Sequence, residues 1–232
     1  MSHYEKAWQA AWVRITTAVQ AVGRERNSVR MLAVSKTFPP TAIRAVYALG
    51  QRAFGENYVQ EATEKQRALA DLADVEWHLI GPLQSNKVRL AAKSFDWVET
   101  VDRLSIAEKL SAARPPEKEP LNVLIQVNVS GESSKSGVAP GDAEALARDV
   151  HRLPRVTFRG IMGIPEPTAD VARQRAQFRM LRDCFEACRG AGLPADTLSM
   201  GMSADLEAAI AEGATEVRLG TAIFGARQYA NA

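Results

Sequence analysis

In the segment RMLAVSK, residues 30–36, Lys36 follows a short run of apolar residues. Such a run is typical of a strand with no solvent-facing side, and a lysine is rarely buried, so Lys36 needs an explanation there. If the strand ends at the mouth of a barrel, partial loss of water would lower the lysine pKa and supply the neutral amine that forms a Schiff base with an aldehyde. Lys36 is therefore a candidate aldehyde-binding residue. The alternative is a lysine whose amine reaches solvent at the rim.

Small and hydroxyl-bearing residues collect in two segments much later in the chain, SMGMSADLEAAI and RLGTAIFG. In the first, Ser203 is predicted to be a helix N-cap, where its hydroxyl and nearby backbone N–H groups could face an anion. In the second, Gly220 permits close approach of the backbone and Thr221 adds a hydroxyl. Together the segments predict a phosphate site, although a serine at an N-cap usually serves only the helix.

A Schiff-base lysine facing a phosphate site favours pyridoxal phosphate or a phosphorylated sugar aldehyde as the ligand. Arg218 bears on that choice. An arginine beside a pyridine nitrogen cannot give up its proton, so it would keep the nitrogen unprotonated and weaken the ring as an electron sink. The alternative is an arginine paired with a carboxylate at the rim.

Eight short apolar runs, which we predict to be strands, alternate along the sequence with amphipathic segments, which we predict to be helices. These elements must position the candidate residues named above. The mean spacing of the runs, roughly 25 residues, is typical of a compact (β/α)8 barrel, which we predict as a single domain over residues 1–232. An open doubly wound sheet is the alternative, but no GxGxxG follows the first run. The amphipathic N-terminal segment is predicted to cover the gap after the last strand. The runs read RMLAVSK, RAFGEN, VEWHLIG, FDWVETV, LNVLIQVNVS, RVTFRGIMGI, ADTLSMGM and TEVRLGTAIFG.

The composition disfavours several classes of protein. The 29 basic and 27 acidic residues nearly cancel, unlike those of a nucleic-acid binder that follows a phosphate backbone. With three scattered histidines and two cysteines four apart in one predicted helix, we expect neither a metal site nor a disulfide framework. The sequence has no signal-peptide pattern and no apolar run long enough to cross a bilayer. We expect a cytoplasmic protein that does not act at a membrane.

Several longer motifs occur together: MLAVSKTFP, FGENYVQE, WHLIGPLQSNK, NVLIQVNVSGESSKSG, LSMGMSADLEAAI and VRLGTAIFGAR. Over about residues 5–229, the chain resembles the pyridoxal 5'-phosphate homeostasis protein family. The resemblance implies a barrel like the N-terminal domain of alanine racemase, the type III fold of pyridoxal-phosphate proteins. It also implies that pyridoxal 5'-phosphate (PLP) is bound as an internal aldimine.

The resemblance implies a role for each residue of the site. Lys36 would carry the aldimine, Asn57 would lie beside the cofactor, and Arg218 would face the pyridine nitrogen. His78 and Lys135 lie in the same motifs, but no role can be assigned to them. The residues that would contact the phosphate or line the wall are Met202, through its backbone, Ser203, Gly220, Thr221, Ser199 and Met200.

The family is generally regarded as buffering or delivering PLP without demonstrated catalysis. A racemase needs two acid–base groups on opposite faces of the substrate α-carbon. In alanine racemase the second is a tyrosine from an added domain and a partner subunit, which we do not expect here, and packing is the favoured role of Tyr58. We expect a monomeric PLP carrier that could supply PLP-dependent apo-enzymes. A weak PLP-dependent amino-acid racemase and a partner-binding protein with PLP as a signal are the alternatives.

Overall fold

Eight strands form the centre of the computed structural model, which describes residues 2–130 and 136–226. The strands are β1 (Arg30–Val34), β2 (Ala53–Glu56), β3 (Glu76–Leu79), β4 (Trp97–Val101), β5 (Leu121–Val127), β6 (Val156–Gly163), β7 (Thr197–Ser199) and β8 (Glu216–Leu219). They are parallel and follow one another around a closed barrel in chain order. Arg30 pairs with Glu216 and Ala33 with Leu219, which joins β8 to β1. The predicted (β/α)8 barrel is therefore confirmed.

Helices connect the strands, as parallel pairing requires. They are α1 (His3–Ala21), α2 (Pro40–Tyr47), α3 (Val59–Ala68), α4 (Val88–Ser94), α5 (Leu104–Ala113), α6 (Ala143–His151), α7 (Val171–Gly190), α8 (Leu206–Ala211) and α9 (Thr221–Phe224). Helix α6 shows the pattern that places them: Ala143, Leu146, Ala147 and Val150 are buried along one face. Within the described ranges, no helix is both long and apolar enough to span a membrane.

The first helix covers the last two, as predicted. Helix α1 packs against α8 and α9, and the ring of Tyr4 meets that of Phe224 edge to face, with centroids 6.1 Å apart. Arg14 forms a bidentate ion pair with Glu207 and donates to the carbonyl of Ser203 at 3.1 Å. Helix α1 thus supports the loop between β7 and α8.

The strands place their side chains in two environments, since successive residues alternate between faces. Residues such as Val98 belong to a large apolar cluster that includes the helices. The barrel interior contains small apolar clusters and a group of buried polar residues. His78 stacks on Trp97 there, with ring centroids 5.1 Å apart. The ionisable residues buried inside the barrel include His78, Glu99, Glu216 and Arg218.

The last apolar run differs from the prediction of one continuous strand. It forms β8, leaves the sheet at Gly220, and continues as the single helical turn α9. The expectation that residues 1–232 form one domain extends over residues outside the described ranges and stays a prediction.

Candidate functional site

A cavity of about 290 Å³ opens at the carboxyl ends of the strands. Within the described ranges it is lined by Val34, Lys36, Asn57, Ile80, Ile164, Met202, Ser203, Ala204, Arg218, Gly220 and Thr221. It brings together most of the residues predicted from the sequence. Ser199 and Met200 are fully buried and do not line it. His78 lies in the barrel interior, and Lys135 lies outside the described residues.

The backbone on both sides of Lys36 is held by hydrogen bonds. The carbonyl of Ser35 accepts a bond from Lys65 Nζ at 2.8 Å, and the Ser35 hydroxyl donates to Glu56 Oε1 at 2.6 Å. After Lys36, the N–H of Thr37 donates to Glu61 Oε1 at 2.6 Å. Thr37 has a φ of 68°, in the left-handed region that β-branched residues rarely adopt. A local backbone strain is therefore held in place directly beside the lysine.

Lys65 is the centre of this arrangement, which we call the Lys65 cluster: Ser35, Glu56, Glu61 and Lys65. Its amine lies 2.8 and 2.9 Å from the two oxygens of Glu56 and 2.7 Å from Glu61 Oε1. Lys65 is 5% exposed and Glu56 is fully buried. Burial raises the pKa of Glu56 above its ordinary value, although Lys65 and the Ser35 hydroxyl act in the opposite direction. The cluster ties β1, β2 and α3 together beneath Lys36.

Arg218 lines the cavity from β8 and is almost completely buried. Its Nη1 donates to the carbonyl and the hydroxyl oxygens of Ser199 at 2.7 and 2.8 Å. Its Nη2 donates to the carbonyl of Gly163 at 2.8 Å. These bonds use only part of the donor set of the guanidinium. The side chain is therefore anchored on the barrel wall with N–H groups left for a ligand in the cavity.

The hydrogen bonds continue from Ser199 into the barrel. The Ser199 hydroxyl donates to Glu99 Oε2 at 2.7 Å, and Glu99 Oε1 lies 2.7 Å from His78 Nδ1. His78 Nε2 lies 2.9 Å from Glu76 Oε1, to which Arg30 Nη2 also donates, at 2.5 Å. Arg30 and Glu76 are partly exposed at the amino ends of their strands. We call this path the interior chain: Arg218, Ser199, Glu99, His78, Glu76 and Arg30.

His78 lies between two carboxylates and is fully buried. Burial disfavours the charged imidazole, but the hydrogen bonds to Glu76 and Glu99 and the charge of Glu216 raise the pKa of His78 to about 9. Burial likewise opposes ionisation of Glu76, yet hydrogen bonds and charges from His78 and Arg30 lower its pKa to about 2. His78 is therefore an imidazolium near neutral pH, with both ring nitrogens donating.

Glu216 adjoins the interior chain without being bonded into it. Its side chain is 1% exposed, and neither carboxylate oxygen has a hydrogen-bond partner among the described residues. Arg30 Nε lies 3.8 Å from Glu216 Oε2, too far for a hydrogen bond. Burial and repulsion by Glu99 raise the pKa of Glu216 to about 7.

His78, Glu99 and Glu216 also offer ligand atoms within 4.8 Å of one another, the donor types of a divalent-cation site. Cationic groups already surround these carboxylates: Arg30, Arg218 and the His78 imidazolium. Three positive groups thus balance Glu76, Glu99 and Glu216. The arrangement needs no further cation for neutrality, and the absence of a metal stays a prediction.

The predicted phosphate site is built differently from the expectation at Ser203. Helix α8 begins at Leu206 with Asp205 at the N-cap position, so Ser203 lies in the preceding turn and is not the cap. The Asp205 carboxylate accepts a bond from the Met202 N–H at 2.6 Å. Two hydroxyls do meet at the cavity, since Thr221 Oγ1 lies 3.4 Å from Ser203 Oγ. A phosphate could use these hydroxyls directly, whereas the Met202 N–H is engaged by Asp205.

Asn57 lines the cavity, and its backbone lies against Gly81, just after β3. A side chain at Gly81 would overlap with the backbone of Asn57, so only glycine permits this approach. A second cavity of about 300 Å³ shares Asn57, Ile80 and Ile164 with the first. Tyr58 is 60% exposed and does not line either cavity. The packing role favoured for Tyr58 is therefore not supported by burial.

The sequence prediction missed Lys65, Glu61, Glu56 and Glu99 as residues that support the site. Glu56 lies in the second apolar run, RAFGEN, and Glu61 and Lys65 are spaced by four on one helix. That spacing predicts a helical ion pair, but not its contact with the Lys36 segment. Glu99 gave no local signal.

Comparison with known proteins identifies relatives of the whole barrel. The profile of the alanine racemase N-terminal domain family matches residues 13–228. The pyridoxal phosphate homeostasis protein of Pseudomonas aeruginosa is 59% identical over 216 residues, covering 93% of this chain and 92% of that protein. This chain belongs to the pyridoxal phosphate homeostasis protein family.

Solved structures agree with that membership. PipY of Synechococcus elongatus with PLP bound has a TM-score of 0.81 and 39% identity, covering 91% of this chain and 100% of that one. An uncharacterised protein from Bifidobacterium adolescentis gives a TM-score of 0.90 and 37% identity, covering 96% of this chain and 94% of that one. Family membership thus extends over the barrel and its cavity.

Proposed function

We propose that this protein binds PLP as a Schiff base on Lys36 and acts as a monomeric carrier in cytoplasmic PLP homeostasis. The observation that carries the proposal is the placement of Lys36, Arg218 and two hydroxyls around one cavity. An amine, a guanidinium and hydroxyl donors suit the aldehyde, the pyridine nitrogen and the phosphate of PLP, respectively. The PLP-bound form of PipY and the name of the Pseudomonas relative support the same ligand.

Each end of the ligand has a structural counterpart. Lys36 would bind the aldehyde carbon, with the Lys65 cluster fixing its backbone, while Asn57 lines the cavity beside it. The phosphate would lie near Ser203, Gly220 and Thr221. Bound PLP supplies an aldehyde that captures amines. The chain's own residues bind and orient it.

The residues around the cavity favour a carrier over a racemase. Among the described residues that line the cavity, Lys36 is the one whose side chain is of a type that commonly serves as a catalytic acid or base. Arg218 keeps its proton, so it would hold the pyridine nitrogen unprotonated and weaken carbanion stabilisation. We propose that the bound PLP is passed on to PLP-dependent apo-enzymes. A second group opposite Lys36 would be needed for racemisation.

The test of binding compares the wild type with Lys36→Ala and Lys36→Arg after loading with PLP. In the wild type we expect a visible absorption band and, after borohydride has reduced the C=N bond to a secondary amine, a permanent adduct on Lys36. We expect neither in the two variants. Lys36→Arg controls for loss of charge. Exposed Lys93→Ala should behave like the wild type. A reduced adduct of unchanged yield on another lysine in Lys36→Ala would refute the assignment.

The test of function has two arms. In the first arm, PLP-loaded protein is mixed with an apo-enzyme and should restore the activity of that enzyme. Lys36→Ala mixed with an equimolar amount of PLP should restore the activity no faster than the same amount of PLP alone. In the second arm, alanine and serine are incubated with loaded protein in deuterium oxide. Exchange at the α-carbon well above that given by PLP alone would favour the racemase instead.

A further inference from the structure

The interior chain connects the cavity with the far end of the barrel. At the cavity it begins with Arg218, and at the other end it reaches Arg30, whose side chain is 37% exposed. In each hydrogen bond along this path, the donor and acceptor atoms lie between 2.5 and 2.9 Å apart. Such a continuous path of buried polar groups does not arise from apolar packing and is energetically demanding unless each member is paired.

Glu99 is the residue on which this path depends. It is fully buried, and each of its oxygens has a different partner: Oε1 meets His78 and Oε2 accepts from Ser199. A hydroxyl has a single proton. Because Ser199 donates that proton to Glu99, its lone pairs are directed toward Arg218 Nη1, 2.8 Å away. The orientation of the serine hydroxyl, and with it one of the three hydrogen bonds that anchor Arg218, follows from Glu99.

We propose that Glu99 is a positioning residue for ligand binding, which orients the Ser199 hydroxyl and so fixes the Arg218 guanidinium at the cavity. This inference rests on the proposed function, since the ligand group that Arg218 would meet is the pyridine nitrogen of PLP. Glu99 itself does not line the cavity. Its effect on the ligand is transmitted through two side chains.

The proposal implies that ligand binding depends on the charge of the barrel interior. The groups that face His78 and Glu99 come from five strands: Arg30 of β1, Glu76 of β3, Arg159 of β6 through the Trp97 ring, Ser199 of β7, and Glu216 and Arg218 of β8. Removing the Glu99 charge would lower the pKa of His78. It would also weaken the hydrogen bond between the Ser199 hydroxyl and Arg218. Both changes are measurable without any catalytic activity.

The decisive variant is Glu99→Gln, which retains the size of the side chain and removes its charge. The matched control is Glu212→Gln, because Glu212 is likewise a buried carboxylate, 1% exposed. It pairs with Arg175, Arg179 and Arg182 outside the barrel interior. Both substitutions should destabilise the protein, since each leaves buried or half-buried cations less compensated. Only Glu99→Gln should alter the cavity.

Two readouts separate positioning from general destabilisation. In the protein without ligand, NMR should show a lower His78 pKa and faster hydrogen exchange of the Arg218 Nε–H in Glu99→Gln, with both values unchanged in Glu212→Gln. With PLP added, Glu99→Gln should bind on the order of tenfold more weakly, the scale of a lost charge-assisted hydrogen bond. The pH midpoint of its absorption band should also move.

The outcomes distinguish this inference from the proposed function. If the wild type forms no Lys36 adduct, the proposed function fails, while the measurements without ligand still decide whether Glu99 anchors Arg218. If the wild type loads and Glu99→Gln shows wild-type affinity, band and pH midpoint, the positioning role is wrong. Should Glu99→Gln not fold, Ser199→Ala removes the same link. It must then weaken PLP binding relative to Glu212→Gln, or the inference is overturned.

Discussion

The Lys65 cluster and the interior chain are two groups of buried charge near the cavity, and they differ in how completely their atoms are paired. In the first, Lys65 has acceptors from Ser35, Glu56 and Glu61 within 2.9 Å, and Glu56 has donors for both oxygens. In the second, the adjoining Glu216 carboxylate has no hydrogen-bond partner among the described residues. The members of the Lys65 cluster bond to one another, whereas the interior chain borders a buried carboxylate that has no hydrogen bond among the described residues.

The difference indicates separate roles. A saturated buried cluster resists movement because each displaced partner leaves an uncompensated charge. The Lys65 cluster therefore suits a constant task, which is to hold the strained backbone beside Lys36. The interior chain contains the His78 imidazolium and borders Glu216, so we expect its charge to change with pH. Four substitutions would break or sharpen this contrast.

The largest expected effect comes from Lys65→Met, which leaves Glu56 buried without its cation. Breaking a buried ion pair in this way costs about 3–5 kcal/mol, so we expect a loss of that order in the free energy of unfolding measured in urea. Arg148→Met is the control, because its pair with Glu144 is exposed and should contribute less than about 1 kcal/mol. If Lys65→Met lowers the free energy of unfolding no more than the control does, Lys65 does not compensate the buried charge of Glu56.

His78→Asn tests the titrating group. The pKa of His78 is about 9 in the folded protein against 6.5 as its ordinary value, so its stabilisation is fully present below pH 6.5 and disappears as pH rises to 9. The wild type should lose roughly 2–3 kcal/mol from this source across that window. Differential scanning calorimetry at several pH values should show a flatter profile in His78→Asn, with a constant difference between the two curves above pH 9. If the stability of the wild type and of His78→Asn changed with pH in the same way, His78 would not be the protonated group.

Glu216→Gln tests the buried carboxylate that has no hydrogen bond among the described residues. Because its pKa is about 7 in the folded protein against 4.5 ordinarily, ionising Glu216 destabilises the fold progressively between pH 4.5 and 7. Relative to the wild type, the variant should therefore gain stability on going from pH 4.5 to 7.5, by roughly 2–3 kcal/mol. Chemical denaturation at the two pH values measures this gain. Exposed Glu108→Gln should show none.

The smallest effect is expected for Ser35→Ala. It removes one hydroxyl from Glu56 while Lys65 still bonds both carboxylate oxygens, so the loss should be about 1 kcal/mol with little change between pH 6 and 9. Urea denaturation across that range provides the measurement. A strong pH dependence in this variant would remove the distinction between the two groups.

The barrel and much of its cavity could be predicted because the relevant patterns are local. Apolar runs at regular spacing indicate parallel strands, and parallel strands bring their carboxyl ends together, which is why Lys36, Asn57 and Arg218 meet. The N-cap at Ser203 was wrong because Asp205, two residues later, occupies that position. Side-chain propensity alone does not decide between neighbouring capping residues.

The supporting charges could not be predicted because they depend on pairing between strands. Glu99 reaches His78 and Ser199 only once β3, β4 and β7 are fixed in register around the barrel. The same register places Ser199 behind Arg218, whereas the sequence prediction put it on the cavity wall. A single sequence contains the residue types but not these cross-strand distances.

Closure of the barrel through the pairing of β1 with β8 also determines when the cavity can exist during synthesis. Lys36 leaves the ribosome early, but Arg218, Gly220 and Thr221 follow only after seven strands have been made. Because β1 pairs with both β2 and β8, one of its edges cannot be paired within the barrel until β8 has been synthesised. A nascent chain therefore exposes the lysine to cellular aldehydes well before it possesses the groups that select among them.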